Sequence, residues 1–518
     1  MSIQSKTYDV IIVGGGHNGL VSACYLSKMK KRVLILESNA NLGGATASAK
    51  IFPSYEANLS RYSYLVSLLP DQIVKDLGLR FKTLERSVSS YTPCLIDGEC
   101  KGLYVAQQWD ARTEESFRCV TGSRKEGANW QNFYAEISQL AARLAPTLLQ
   151  PLQSAANLRS QVGLADIWNQ IIERPIGQTI QERFHHDVVR GVVMTDALIG
   201  TFADENDHHA NACFLYHVIG NGTGQWRVPL GGMGALVKEL TRVAQNNDVA
   251  IETNAKVTDI EIGTNGVSVG TENDSRYTAR DLIFAAAPQQ LQRLLGMDTT
   301  ESLPGSQIKI NMLVNELPQF KSGMDPNLAF AGTLHINESF TQLQSAFHAA
   351  SGGQIPKPMP LEIYCHTLAD SSILSEELAE RGFHTLTLFG LHTPHELFED
   401  NHALTKQTAA RLALDSLNSY LAEPIESVLA PCVDNAHAIE VVTPVDLEAE
   451  IGLPRGNIFH NQLSLPFLRE EETESDATRW GVETQYPHIF IGGAGSRRGG
   501  GVSGIAGHNA AMAILNQP

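Results

Sequence analysis

A glycine-rich turn near the start of the chain constrains the fold more than any other feature. Tyr8–Val13 is typical of a buried strand, and Gly14-Gly15-Gly16-His17-Asn18-Gly19 follows it directly. A helix is expected to about Lys28, and Val33–Leu36 predicts a second strand that ends at Glu37. A strand, a G-x-G-x-x-G turn, a helix and a second strand with a terminal acid form a dinucleotide-binding unit. The sequence therefore predicts a parallel, Rossmann-like sheet here.

Each of these glycines, and the acid, has a physical task in the unit. Gly14 permits the tight turn, Gly16 lets the backbone approach a pyrophosphate, and Gly19 lets the helix pack closely on the strand. The helix N-terminus offers free N–H groups to phosphate oxygens. Glu37 can accept hydrogen bonds from ribose hydroxyls, which favours an adenosine ribose without a 2′-phosphate. The alternative is a glycine turn in an α/β protein that binds no dinucleotide.

Length and charge exclude several classes of protein. A chain of 518 residues predicts two domains, and a net charge of −17 disfavours nucleic acid as a partner. The seven cysteines are scattered without a C-x-x-C pair, which favours a reducing compartment. The first strand begins by Tyr8, too early for a signal peptide, and no apolar run approaches about 18 residues. We expect a cytoplasmic protein and leave peripheral contact with a membrane open.

Two further glycine clusters lie far along the chain. Gly231-Gly232-Met233-Gly234 is expected to open a helix to about Gln245, followed by strands near 250–253, 256–263, 267–271 and 281–286. The strand Ile489–Ile491 is followed by the glycine-rich loop 492–501, and a helix is expected over 502–515. Glycine loops before helices can bind electron-rich ligands. The alternative is close packing of helix on sheet.

The remaining segments predict a second domain. Residues 109–218 are mostly helical in pattern, with one apolar face that Pro146 and Pro151 are expected to interrupt. That apolar face is made of Phe133, Ile137, Leu140, Leu144, Leu148 and Leu152, and core packing is favoured over a substrate funnel or a membrane-docking face. Residues 308–442 alternate strands with helices and predict an antiparallel sheet.

The fold class is therefore predicted as α/β, with a discontinuous domain. The Rossmann-like domain is expected to comprise residues 1–75, 225–300 and 455–518. The second, mixed α+β domain is expected to comprise 76–224 and 301–454, with 109–218 as its helical insertion.

Several stretches together resemble the FAD-dependent amine oxidase and phytoene desaturase superfamily. They are similar above all to the phytoene-desaturase-like branch that includes pyridine nucleotide-disulphide oxidoreductase domain-containing protein 2. The matching stretches cover nearly the whole chain: 9–19, 42–46, 59–69, 231–236, 309–320, 443–460 and 491–511. The resemblance implies FAD as the cofactor, in a domain assembled from all three glycine-rich regions.

The resemblance also implies a set of FAD-binding residues. Val257 would meet the adenine through its backbone, and Val502 would point at the pyrimidine edge of the flavin. The full set is Gly14, Gly16, His17, Asn18, Gly19, Glu37, Ser38, Gly43, Gly44, Ala45, Thr46, Arg61, Val257, Gly493, Gly501 and Val502. Alternatively, Arg61 forms an ion pair between domains. The alternative for the loop 43–46 is a plain surface turn.

Three residues are candidate catalytic groups. By resemblance, Lys309 would hold a water near flavin N5; the alternative is a strand lysine that faces solvent. His217 and His460 can act as acids or bases near neutral pH, with a structural role favoured. The adjacent pairs 185–186 and 208–209 do not have metal-ligand spacing, so no metal is predicted.

One departure from the family pattern weakens the transfer of a carotenoid substrate. Many desaturases of the group have Thr-His-Pro in the last glycine loop, where this chain has Ser496-Arg497-Arg498. An arginine facing the ring could stabilise reduced flavin or bind a carboxylate. Two solvated surface charges are the favoured alternative.

The function expected from these features is FAD-dependent removal of a hydride equivalent from a C–C, C–N or C–O bond. The substrate is expected to be a largely apolar small molecule, with oxygen or a quinone as electron acceptor. Two alternatives remain: a binding or chaperone protein on the same fold, and a nicotinamide-dependent dehydrogenase that uses only the first motif. The sequence gives no oligomeric state.

Overall fold

Two sheets and a helical region organise the chain in a computed structural model that describes residues 6–66, 68–222, 226–433, 436–469, 472 and 479–517. The strands of the described residues are β1 (Lys6–Val13), β2 (Val33–Leu36), β3 (Ser48–Ala49), β4 (Leu59–Ser60), β5 (Thr83–Glu85), β6 (Val88–Ile96), β7 (Glu99–Ala106), β8 (Arg227–Pro229), β9 (Ala250–Glu252), β10 (Val257–Gly263), β11 (Gly266–Thr271), β12 (Arg276–Phe284), β13 (Ile308–Val314), β14 (Thr333–Ile336), β15 (Leu361–Cys365), β16 (His384–Gly390), β17 (Ile439–Val442) and β18 (Ile489–Ile491).

The described residues also form α-helices. They are α1 (His17–Lys28), α2 (Asp71–Leu77), α3 (Ala111–Thr121), α4 (Lys125–Leu144), α5 (Ala155–Val162), α6 (Ala165–Trp168), α7 (Ile176–Arg183), α8 (Asp187–Thr195), α9 (His208–Ile219), α10 (Gly234–Asn246), α11 (Pro288–Leu294), α12 (Pro326–Ala329), α13 (Phe340–Ser351), α14 (His366–Ala369), α15 (Glu376–Glu380), α16 (His402–Asn418), α17 (Pro444–Ile451) and α18 (Ile505–Leu515). None of these helices is long and apolar enough to cross a membrane.

The first sheet has β1 at its centre, in the strand order β10-β11-β12-β1-β2-β9. β1 pairs in parallel with β2 and β12, and β2 pairs in parallel with β9. The edge of β12 that faces away from β1 pairs with two strands, β11 antiparallel and β18 parallel. Helix α1 packs against α10 and α18, so all three glycine-rich regions meet on this sheet. The predicted Rossmann-like fold is confirmed.

The second sheet has the strand order β17-β13-β16-β15-β14-β6-β7. Its neighbours are antiparallel except for β14 and β6, which run parallel. The prediction of a purely antiparallel sheet is corrected in that one pair. The hairpin β6–β7 was not predicted from the sequence, and it extends the sheet with residues that precede the helical region.

The helical region lies between residues 111 and 219 and contains α3 to α9. The predicted apolar face of α4 is buried in a core that also includes Phe184, Val189 and Phe214. α4 ends at Leu144, and a 3-10 helix, Ala145–Leu149, follows with Pro146 in its first turn. A proline there removes an N–H donor that the α-helix would need in order to continue.

The boundaries of the two domains, expected from the sequence, stay predictions.

Candidate cofactor and active site

A cavity of about 820 Å³ is lined by residues of both sheets and of the helical region. It brings together most of the residues predicted from the sequence. The predicted residues that line it are Gly14, Gly16, His17, Asn18, Glu37, Ser38, Gly43, Gly44, Ala45, Val257, Gly501, Val502, Lys309, His217 and His460. Gly19, Thr46, Arg61 and Gly493 lie outside its lining.

Glu37 is hydrogen-bonded to the glycine turn that follows β1. Its Oε2 accepts a hydrogen bond from Gly15 N at 2.7 Å, and its Oε1 accepts one from Asn39 N at 2.8 Å. A carboxylate has about four acceptor positions, so Glu37 can still accept from a ligand's hydroxyls. Gly19 explains the close packing of α1, since a Cβ on it would lie 2.1 Å from Gly14 O.

The loop after β2 joins the glycine turn. Gly43 N donates to Gly15 O at 2.9 Å, and Thr46 Oγ1 is 2.9 Å from His17 Nδ1. Thr46 thus acts by orienting His17. The buried Nε2 of His17 has no hydrogen-bond partner among the described residues. Burial lowers the pKa of His17 to about 4, so the ring is neutral at pH 7.

Two observations make this part of the cavity fit FAD. The buried, unpartnered His17 Nε2 belongs to a residue that lines the cavity and can hydrogen-bond a ligand. A Cβ built on Gly16 meets only Gly43 O, at 4.0 Å, so the space beside this glycine is open. A pyrophosphate needs this combination of close backbone approach and free donors.

The C-terminal helix begins later than predicted. α18 starts at Ile505 rather than at Val502, because Gly504 has a left-handed backbone conformation with φ of 69°. Gly501 and Val502 therefore line the cavity from a loop, not from the first turn of a helix. The next residue, Ser503, accepts a hydrogen bond from Ile505 N through Oγ at 3.2 Å.

The favoured expectation for Arg497 and Arg498 is wrong. Arg498 is only 2% exposed and donates to Gln150 O at 2.6 Å and to Trp480 O at 2.8 Å. Arg497 donates to Phe467 O and pairs with Glu472. Both arginines therefore tie the last glycine loop to neighbouring backbone instead of facing solvent, and neither lines the cavity.

We expect Arg498→Met to destabilise the protein by about 3 kcal/mol, because buried carbonyls lose a charged donor. The measurement is the urea midpoint of unfolding, followed by circular dichroism. Arg32→Met is the control; Arg32 makes an exposed ion pair with Asp9, and its loss should cost less than about 0.5 kcal/mol. Equal midpoints for the two variants would contradict a structural role of Arg498.

Arg61, which follows β4, lies in an ion-pair network that connects it to β17 and α17. Its guanidinium pairs with Glu440 at 2.7 Å and with Glu450 at 3.1 Å, and it also donates to Tyr62 Oη. These contacts occupy the side chain, so the structure favours the ion-pair alternative over direct contact with a cofactor. Its backbone carbonyl has a different use, as an acceptor for Lys309.

Lys309 is buried on β13 and faces the cavity. Its Nζ donates to Ser60 O at 2.8 Å and to Arg61 O at 2.7 Å, and lies 5.5 Å from the centre of the Phe389 ring. Burial lowers its pKa to about 7, while Glu440 opposes the shift. The solvent-facing alternative is wrong: two of the three ammonium hydrogens are fixed, which leaves one for a ligand or water.

The two candidate histidines occupy different parts of the cavity. His217 Nδ1 is 2.9 Å from Cys213 O, and since a carbonyl only accepts, Nδ1 carries the hydrogen and Nε2 the lone pair. Burial lowers the pKa of His217, so the ring is a neutral base at pH 7. His460 lies near His17, at the glycine-rich part, and burial lowers its pKa to about 4.

Four aromatic residues that the sequence analysis did not select form the other part of the cavity. We call Tyr64, Trp226, Tyr364 and Phe389 the aromatic wall. The Tyr364 ring lies 4.4 Å from Tyr64, 6.3 Å from Trp226 and 5.9 Å from Phe389, between ring centres. His217 lies 5.9 Å from Trp226. The aromatic wall thus connects His217 at one end with Lys309 at the other.

Comparisons with known proteins agree with this architecture. A family model described as NAD(P)-binding Rossmann-like domain matches residues 12–71. Protein Rv0897c of Mycobacterium tuberculosis is 43% identical, over 99% of this chain and 98% of its own. Pyridine nucleotide-disulfide oxidoreductase domain-containing protein 2 of Mus musculus is 28% identical, over 98% of this chain and 93% of its own. The solved structure of a putrescine oxidase mutant, from a redesign of cofactor binding, shares the fold, with a TM-score of 0.59 at 16% identity, over 99% of this chain and 100% of that one.

Proposed function

Because the chain belongs to the family of Rv0897c and is similar to pyridine nucleotide-disulfide oxidoreductase domain-containing protein 2, we propose that it is an FAD-dependent enzyme of the amine oxidase superfamily. Its proposed reaction is the dehydrogenation of a largely apolar, uncharged small molecule. The bond oxidised is a C–C, C–N or C–O bond, and oxygen or a quinone accepts the electrons. The observation that carries the proposal is the aromatic wall between His217 and Lys309. FAD, when bound, supplies the acceptor for the hydride.

Charge in the cavity supports an uncharged substrate. The carboxylates among the described lining residues already have partners: Glu37 accepts from Gly15 N, Glu450 pairs with Arg61, and Glu448 pairs with His395. Glu450 and Glu448 thus face basic side chains, and Glu37 lies at the glycine turn, in the part of the cavity that fits the cofactor, so none of the three described carboxylates belongs to the aromatic wall. A fixed cation also lies against the wall, since the Arg86 guanidinium is 5.2 Å from the Trp226 ring and 5.9 Å from the Tyr364 ring.

The ionisable groups of the cavity supply the proton chemistry. Dehydrogenation removes a hydride from one atom of the substrate and a proton from its neighbour. His217 Nε2 has a free lone pair at neutral pH and can accept that proton. Lys309 Nζ can hold a water or polarise oxygen when electrons leave the protein. The apolar wall positions the substrate and excludes water.

The experiment that tests the proposal is the visible spectrum of the purified protein, followed by anaerobic titration with candidate substrates. We expect a flavin spectrum, release of FAD on heating, and bleaching by neutral apolar alcohols or alkenes but not by primary amines. A colourless protein that cannot be reconstituted with FAD would contradict the proposal and favour either the binding-protein or the nicotinamide-dehydrogenase alternative. Bleaching by amines alone would contradict the uncharged substrate class.

We expect His217→Gln to slow substrate-dependent bleaching by about 100-fold with FAD content unchanged, because the base is lost and the shape is kept. The measurement is anaerobic stopped-flow absorbance, with a substrate that bleaches the wild-type flavin in the titration. His208→Gln is the matched control, since His208 is exposed at the start of the same helix, α9. Equal bleaching rates for His217→Gln and the control would remove His217 from the mechanism.

A further inference from the structure

A buried group of ionisable side chains lies directly behind the aromatic wall. His335 on β14 and Glu362 on β15 are cross-strand neighbours, and Glu338 follows the end of β14. Each offers one ligand atom, and these atoms lie within 4.8 Å of one another. All three side chains are buried, Glu338 with 1% exposure. We call these three residues the buried triad.

One oxygen of the buried triad lacks a partner. His335 Nδ1 is 2.5 Å from Glu338 Oε2, but Glu338 Oε1 has no hydrogen-bond partner among the described residues. The nearby Thr195 hydroxyl has a single hydrogen, which it donates to Glu362 Oε1 at 3.0 Å. A fully buried carboxylate oxygen without a partner is costly unless a proton or a cation occupies its lone pair.

The charges around the buried triad do not balance. Glu338, Glu362 and the neighbouring Asp196, which acts electrostatically on both glutamates, carry three negative charges when ionised. Arg86 supplies one positive charge close to Asp196. With His335 neutral, as a metal-binding imidazole must be, two positive charges are missing. Either protons on the glutamates or one divalent cation can supply them.

We propose that His335, Glu338 and Glu362 bind a divalent transition-metal or zinc ion. One imidazole nitrogen with two carboxylates is a donor set that suits Mn²⁺, Fe²⁺ or Zn²⁺. The ion gives Glu338 Oε1 its partner and neutralises the group together with Arg86. The inference concerns the second sheet and does not rest on the proposed reaction.

The ion also affects the substrate side of the protein. Glu362 accepts a hydrogen bond from the Tyr364 hydroxyl, and Tyr364 is the central ring of the aromatic wall. A metal ligand that also holds this hydroxyl fixes the orientation of the ring. The role of the ion is therefore structural, and it acts on the wall through one glutamate.

The test measures metal content and thermal stability of the FAD-loaded protein. After passage over a chelating resin, we expect inductively coupled plasma mass spectrometry to find about one divalent ion per wild-type chain. Glu338→Gln is expected to lower that content to about a tenth. Glu126→Gln is the matched control; Glu126 is also buried, but it accepts from His185 N outside the triad. Its metal content should equal that of the wild type.

A second measurement does not depend on folding of the variant. The wild-type protein is unfolded and then refolded in the presence of a chelator, which removes bound metal. Addition of Mn²⁺ or Zn²⁺ should then raise its Tm by about 3 °C. Wild-type protein without bound divalent ion, and without a Tm shift by either cation, would overturn the proposal and leave protons as the balancing charge. Equal metal content in Glu338→Gln and wild type would also overturn it.

Discussion

Gly16→Val is expected to lower the affinity of the protein for FAD by a factor of about 100 or more, without changing the fold. Gly16 has φ of −69°, which any residue adopts, so the substitution causes no backbone strain. The added Cβ would meet only Gly43 O at 4.0 Å, and the valine methyl groups would extend into the space where a pyrophosphate must approach the backbone. The measurement is the ratio of FAD to protein after gel filtration, with circular dichroism as the test of folding.

Gly352→Val is the matched control for this variant. Gly352 follows α13 with φ of −85°, and its Cβ would meet only backbone carbonyls at 3.4 Å. This control should keep its FAD. A folded Gly16→Val protein with full flavin content would mean that the first glycine turn does not contact the cofactor.

Lys309→Met is expected to keep FAD and to slow reoxidation of the reduced flavin by about 100-fold. Methionine fills a similar volume but cannot donate, so the third hydrogen of the ammonium group is lost together with its charge. The rate can be measured without a substrate, by photoreducing the enzyme and mixing it with oxygenated buffer. Lys321→Met is the matched control, because Lys321 also donates to two carbonyls, Asn418 O and Ser419 O, but lies on the surface.

The pH dependence of reoxidation gives Lys309 a second test. Burial lowers its pKa to about 7, so the charged form predominates below that pH and is lost above it. The wild-type rate should therefore fall as the pH rises through 7, whereas the Lys309→Met rate should stay constant. A wild-type profile that is flat over this range, or an unchanged rate in the variant, would exclude the ammonium group from reoxidation by oxygen.

The dinucleotide-binding unit could be predicted because its signals are local. Strand, glycine turn, helix and acid follow one another within about 30 residues, and the predicted β2 and β18 have the observed bounds. The Rossmann-like fold that the three glycine-rich regions indicated is confirmed, and the chain belongs to the family of Rv0897c. The predicted start of α18 is wrong because a left-handed Gly504 cannot be distinguished, in the sequence, from a glycine in the first turn.

The aromatic wall and the role of Arg498 could not be predicted, because both depend on distant parts of the chain. Tyr64, Trp226, Tyr364 and Phe389 come from four separate segments, and an isolated aromatic residue in a sequence is typical of any core. An arginine in a glycine loop is usually exposed. Its burial here is decided by carbonyls of Gln150 and Trp480, which no local pattern connects to it.

The pairing of β12 with β18 sets the order in which the molecule can be assembled on the ribosome. β1 and α1 are made long before their parallel partner β12, and β18 and α18 follow only after the strands of the second sheet. Pairing over such sequence distances is slow. We therefore expect β1 and α1 to keep an apolar face exposed until β12 has been made, and such exposed surface favours aggregation. Because Gly500, Gly501 and Val502 line the cavity, the cavity is complete only once the segment that follows the second sheet has been made.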